Sequence, residues 1–185
     1  IESPELAVLH SNEGVFAESC RQAWAGVSRT LQQSAHQSLL VLSAAPEAGS
    51  TTIIGNFAAS AVTSGLSVLV LDCNFRRPNL GSMFGLDDTT PGVADLLAGS
   101  VEVSSVIQQT DSGVDVITAG VPANRLFQRL GSERMKSVFA QIRDAYDLVL
   151  IDAPPSIVAG DAVLLANLVD VIMLVLHSNR DDLGP

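Results

Sequence analysis

Aromatic side chains are scarce: they form 4% of the 185 residues, with one tryptophan and one tyrosine among them. An apolar content with so few aromatics is the mixture that a parallel sheet covered by helices requires. Positive charge is also short, with 10 basic residues against 20 acidic ones and a net charge of −10. Such a surface gains nothing from counterion release on a polyanion, which excludes nucleic acid as the expected partner, and it is repelled by anionic lipid. Long apolar runs are missing. The longest, Val169 to Leu176, is strand-sized and broken by Asp170, whereas a membrane helix needs ~18 apolar residues. No direct membrane insertion of this segment is therefore expected. Cysteine is limited to Cys20 and Cys73, too few for a disulfide framework or a zinc site, so both are expected to be buried and reduced. His10, His36 and His177 are scattered and form no metal-ligand spacing. The chain begins at Ile1 rather than Met and ends at Pro185, and is expected to be a piece of a longer protein.

Against these absences stands a large apolar content, 47% hydrophobic and carried mainly by Val, Leu, Ala and Ile. It is arranged in short continuous runs, the pattern of strands buried on both faces of a parallel sheet. Such runs occur at 38–43, 66–71, 148–151 and 171–176, and an alternating run at 114–118 reads as a further strand. The last of the continuous runs is expected to be buried like the others. Helical spacing fills the intervals. Phe16, Cys20, Ala23, Trp24, Val27 and Leu31 define a helix over about 14–33, with Ser11 or Asn12 as its cap. Thr52 to Thr63 and Asp161 to Asn167 read as helices, and Val93 to Ala98 as a short one. Ser132 caps a helix whose apolar face is Met135, Val138, Phe139 and Ile142. The alternation predicts an α/β domain over 15–185, a mostly parallel sheet with helices on both faces, preceded by a linker or arm at 1–14.

In sheets of this kind ligands sit at the carboxyl ends of the strands. Three polar features fall there. The first is the loop Ala44-Ala45-Pro46-Glu47-Ala48-Gly49-Ser50-Thr51-Thr52, between a buried strand and a helix. A working phosphate loop reads G-x-x-x-x-G-K-[ST], and its backbone amides cradle phosphate while its lysine reaches the β and γ phosphates. Here Gly49 and Thr51 hold their places and Ser50 stands at the lysine position. The other two features are apolar strands that each deliver an aspartate, Asp72 before Cys73-Asn74-Phe75-Arg76-Arg77-Pro78, and Asp152 before Ala153-Pro154-Pro155. Asp152 occupies the place of the acid that holds Mg²⁺ in such sites.

Taken together these segments resemble the cytoplasmic tyrosine-kinase (BY-kinase) domain of bacterial exopolysaccharide export systems. Asp72 to Pro78 is similar to that family's Asp-x-Asp-x-Arg-Arg-Pro segment, and Tyr146-Asp147 through Pro154-Pro155 to its Walker B segment. Gly92 to Gly99, Ala119 to Asn124 and Gly160-Asp161-Ala162 match further family stretches, and Glu18-Ser19-Cys20-Arg21 resembles the start of its Glu-x-x-Arg-x-x-Arg assembly helix. The resemblance covers about 15–178. It implies a P-loop NTPase-like fold and a nucleotide site in which Thr51, Asp72 and Asp152 hold Mg²⁺, with Asp72 as catalytic acid/base if the domain is active. It also implies Glu18 and Arg21 as assembly residues, and a location at the cytoplasmic face of the inner membrane beside a polysaccharide chain-length or co-polymerase protein. The family's loop typically reads Pro-Gly-Glu-Gly-Lys-Ser/Thr-Thr. This chain departs at Glu47, Ala48 and Ser50, replaces the second aspartate by Asn74, and carries Trp24 where the assembly helix has its last arginine.

Losing the lysine and gaining Glu47 beside a tetra-anionic ligand is expensive, since a charge pair at ~4 Å is worth about 4 kcal/mol at an effective dielectric near 20. Even after solvent screening, a loss of roughly two to three orders of magnitude in ATP affinity is expected. A glutamate at 47 is also expected to prevent the backbone from taking the glycine conformation that the cradle uses. Arg76 or Arg77 is the candidate substitute cation, against a plainer role in subunit or surface contacts. No cofactor is expected to bind tightly, and Mg-ATP or Mg-ADP only if the site is functional. Three functions follow: an impaired kinase-like scaffold, a working ATP-dependent tyrosine autokinase of the same pathway, and a partition or septum-positioning ATPase, which the Arg76-Arg77-Pro78 segment disfavours. Weak self-association of the isolated domain is expected.

Overall fold

The structure, a computed structural model, describes residues 6–10, 14–33, 37–87, 89–121, 126–155 and 160–176. In chain order the elements are α1 (Ala7–His10), α2 (Val15–Gln33), β1 (Ser38–Ser43), α3 (Ser50–Thr63), β2 (Val68–Asp72), α4 (Leu80–Met83), α5 (Val93–Ala98), β3 (Gln108–Gln109), β4 (Asp115–Ile117), α6 (Leu126–Leu130), α7 (Glu133–Arg143), β5 (Leu148–Asp152), α8 (Asp161–Ala166) and β6 (Val171–Val175). A short 3-10 turn at Val103–Ser105 precedes β3. The six strands lie in the order β3-β4-β2-β5-β1-β6. All pair in parallel except β3, which runs antiparallel to β4.

The continuous apolar runs find their explanation in two cores, one on each face of the sheet. Leu40, Leu42, Leu69, Leu71, Val149 and Ile151 point to the face covered by α5, α7 and α8. Their neighbours Leu39, Val41, Val68, Val70, Leu148 and Leu150 point to the face covered by α2 and α3. Side chains alternate along a strand, so a strand covered on both sides has to be apolar at every position. Small residues on α3, among them Ala58 and Ala61, pack into the second core beside Phe57. Ser132 caps α7 as its sequence predicts, its hydroxyl accepting the Met135 amide at 3.3 Å. Cys20 and Cys73 are both buried free thiols.

Several expectations need correction. Among the described residues the last strand, β6, is not buried like the others: it is the outermost strand, beside β1, and Ile172 and Leu174 are 50% and 51% exposed. Part of the stretch read as an irregular arm is packed. Leu6 and Val8 are buried, and the Val8 amide donates to Asn56 on α3 at 2.9 Å. The polar interval after β2 contains α4, the 3-10 turn and β3, none of which has enough residues to show a period. The cap at Ser11 or Asn12, the family-like residues Pro122, Ala123 and Asn124, and His36 and His177 lie outside the described residues.

The similarity over Gly92 to Gly99 receives a structural reason. A side chain at Gly92 would run into the Thr118 carbonyl and, at 2.5 Å, the Gly120 amide nitrogen. Asp95 accepts the Gly92 amide at 2.9 Å, and Gly99 ends α5 in the left-handed conformation at φ 77°.

At the opposite end from the strands' carboxyl edge, Asp170 ties β1 to β6. One of its oxygens accepts from the Gln37 amide (3.0 Å), the Ser38 amide (3.0 Å) and the Ser38 hydroxyl (2.6 Å), and the other pairs with Arg143 at 3.3 Å. Burial by itself would raise this carboxyl, but the Ser38 hydroxyl, the Gln37 amide, Arg143 and the Ser38 amide together hold it below its ordinary value. A depressed folded value makes the stabilisation fully present above the unfolded pKa, near 3.9, and lost as the pH falls through the folded one. Asp170→Asn is therefore expected to cost about 2 kcal/mol at neutral pH, with the gap to the parent closing below about pH 4. Urea melts across that range check it, and a pH-independent gap would rule out the charge as the cause.

Candidate nucleotide site

Strands β2, β5 and β1 lie side by side and parallel, so their carboxyl ends open onto one edge. A cavity of about 540 Å³ lies there. One wall is the turn between β1 and α3, including Pro46, Glu47, Gly49, Ser50, Thr51 and Thr52; a second is the loop after β2 with Arg76 and Arg77; Pro154 and Pro155 after β5 close it. Ala45 and Ala48 do not line it.

The turn between β1 and α3 is tight, with two residues at positive φ. Gly49 caps α3 at φ 92°, and its carbonyl accepts the first helical amide, Ile53, at 3.0 Å. Glu47 has φ 63° and is the one non-glycine residue with positive φ among the described residues. The expectation that a glutamate here prevents the glycine conformation is thus corrected. The backbone adopts it regardless, at a strain of about 1–2 kcal/mol, because the turn is fixed at both ends by β1 and α3. The obstacle at position 47 is the charge alone. Ser50, at the lysine position, is the first residue of α3 and is 8% exposed.

The three oxygen-bearing residues singled out from sequence do come together. Asp72 and Asp152 are register partners on adjacent strands, both completely buried. The Thr51 hydroxyl donates to Asp152 Oδ2 at 2.7 Å, while Asp152 Oδ1 is buried with no hydrogen-bond partner among the described residues. Burial first, then the neighbouring Asp72 charge, push the Asp152 carboxyl up to about 8 against the opposing Thr51 and Ala153 hydrogen bonds. Two buried carboxylates side by side call for a proton or a cation. An all-oxygen set of a hydroxyl and two carboxylates with an unpartnered oxygen fits Mg²⁺. Among the described residues no group of three or more His, Cys, Asp or Glu side chains stands ready for a metal, so phosphate oxygens or water would have to complete the shell.

Asp72 also has a structural task that its sequence did not announce. Its oxygens accept the backbone amides of Asn74 at 2.9 Å and of Asn79 and Leu80 at 3.2 Å, which shapes the loop carrying the two arginines. Arg77 Nη1 lies 3.8 Å from Glu47 Oε1 across the cavity mouth. No sequence signal could have found this pair, because the residues are 30 positions apart on different loops.

Glu18 and Arg21 lie on α2 and do not line the cavity. They bond to each other at 3.0 Å within one helix, and Gln22 donates to Glu18 at 3.0 Å. Trp24 does not extend this surface: it is 6% exposed and packs its ring 5.6 Å from that of Phe57. Tyr146 donates its hydroxyl to Asp115 at 2.7 Å, and burial, followed by that hydrogen bond and the Asp115 charge, raises its phenol well above the ordinary value.

A parallel sheet with a phosphate-type turn and two strand-end aspartates at its carboxyl edge defines a P-loop NTPase-like domain. The chain belongs to the AAA-domain family, whose model matches residues 47–178. Within that class it is a BY-kinase-like domain. It is 30% identical over 173 residues to the tyrosine-protein kinase ptk of Acinetobacter johnsonii, covering 93% of this chain and 23% of that protein. The kinase domain of the Escherichia coli tyrosine kinase ETK superposes with a TM-score of 0.91 at 28% identity, over 97% of this chain and 70% of that one. The septum site-determining protein MinD of Pyrococcus horikoshii, complexed with Mg-ADP, shares the fold at a TM-score of 0.65 and 23% identity, over 75% of this chain and 57% of that one. The chain thus spans about a quarter of the length of such a kinase relative.

Proposed function

We propose that this domain is a BY-kinase relative with impaired nucleotide chemistry, serving as a scaffold or regulator in exopolysaccharide biosynthesis and export. Its partner would be an inner-membrane chain-length or co-polymerase protein or segment, at the cytoplasmic face. The observation that carries the reading is the turn between β1 and α3: Gly49 and Glu47 have positive φ there, Ser50 fills the lysine position, and Glu47 lines the cavity. Tyr146, the single tyrosine of these 185 residues, is engaged with Asp115 and is a poor phosphate acceptor. No helix among the described residues is long and apolar enough to cross a membrane.

A second reading, an active autokinase, is favoured by one observation, the intact Thr51–Asp152–Asp72 arrangement. Titration calorimetry with Mg-ADP separates the two. The impaired reading expects no saturable binding up to millimolar nucleotide. A micromolar dissociation constant would favour the working enzyme.

A further inference from the structure

The cavity has lost one cation from the phosphate turn but faces two others. Arg76 and Arg77 enter from the loop after β2, which Asp72 holds in shape through three backbone amides. Opposite them, the left-handed backbone at Glu47 (φ 63°) places that residue on the cavity wall, with its carboxylate 3.8 Å from the Arg77 guanidinium. The two side chains are 72% and 77% exposed. An exposed pair at this separation is held by no more than about 1 kcal/mol, so an incoming anion can displace the carboxylate. A guanidinium can bind phosphate through two parallel hydrogen bonds, whereas the 3.8 Å between Arg77 Nη1 and Glu47 Oε1 is longer than a hydrogen bond.

We propose that Arg77, with Arg76 beside it, is the phosphate-recognising cation of this cavity, and that Glu47 is a built-in competitor occupying it. The ligand class is a di- or polyphosphate anion. This rests on the reading that the phosphate turn has lost its own cation, and it adds a regulatory element: affinity is set by whether Glu47 or phosphate holds Arg77. Glu47→Gln keeps the side-chain size and removes only the charge. Arg77→Ala removes the proposed cation. Both sites are exposed, so neither substitution threatens the fold.

The test is calorimetric titration with inorganic pyrophosphate in the presence of a chelator, which removes Mg²⁺ and adenine from the comparison. Glu47→Gln is expected to bind about tenfold more tightly than the parent. Adding Arg77→Ala to Glu47→Gln is expected to abolish that gain. Circular dichroism melts confirm that the variants are folded. Absence of binding by Glu47→Gln, affinity equal to the parent's, or a gain that survives Arg77→Ala would each overturn the proposal. Micromolar Mg-ADP binding by the parent would instead sink the impaired-site reading, leaving the pyrophosphate comparison to decide the arginine's role on its own.

Discussion

Mg-ADP is expected to bind the double variant Ser50→Lys with Glu47→Gly at least about a hundredfold more tightly than the parent, a gain near 2.7 kcal/mol. Three features of the expected site lie at this sheet edge. Gly49 holds the helix cap, Thr51 bonds Asp152, and Asp152 carries a buried oxygen with no partner among the described residues. What the turn lacks is its own cation, and a lysine at the first residue of α3 supplies it. Ser50→Lys alone is expected to restore little, because the Glu47 carboxylate takes up the new ammonium. Glu47→Gly removes that competitor and also relieves the left-handed strain at φ 63°. Calorimetry on the parent, both single variants and the double variant measures the result. A double variant that binds no better than the parent would mean that Thr51, Asp72 and Asp152 are not positioned for a metal–nucleotide complex, and that decay extends beyond the turn.

The second large effect is on stability. Trp24→Arg, which writes the family's arginine back into the assembly helix, is expected to unfold the domain or nearly so. The Trp24 side chain is 6% exposed and belongs to the core that also holds Phe57, Ile54 and Leu39. Losing its packing costs about 3–5 kcal/mol, and an unpaired buried guanidinium adds several more. The sum approaches the whole stability of a typical domain, about 5–15 kcal/mol. Trp24→Phe is the control and should remain folded with a smaller loss. Urea denaturation followed by far-ultraviolet circular dichroism measures both. A parent-like midpoint for Trp24→Arg would show that the indole site opens to solvent, returning Trp24 to the surface of α2.

What this sequence determined by itself was local. The strands at 38–43 and 148–152, the helix capped by Ser132, and the placing of Gly49, Thr51, Asp72 and Asp152 at one sheet edge all follow from short-range patterns. Uninterrupted apolar runs require burial on two faces, and parallel strands joined by helices must bring their carboxyl ends together. The missing lysine is likewise a matter of one position in one loop. Tertiary structure decided the rest. Ile172 and Leu174 are as apolar as Leu40 and Leu42, yet among the described residues β6 pairs with β1 alone, and no run of six residues encodes its neighbours. Trp24 follows the same helical period as Cys20 and Leu31, but whether it faced the core or a neighbouring subunit depended on Phe57 lying opposite. Glu47 was expected to distort its turn; instead β1 and α3 impose the turn on it, because two fixed elements outweigh one residue's backbone preference. Its pairing with Arg77 joins loops that follow different strands, and only the order β2-β5-β1 brings those loops around one cavity.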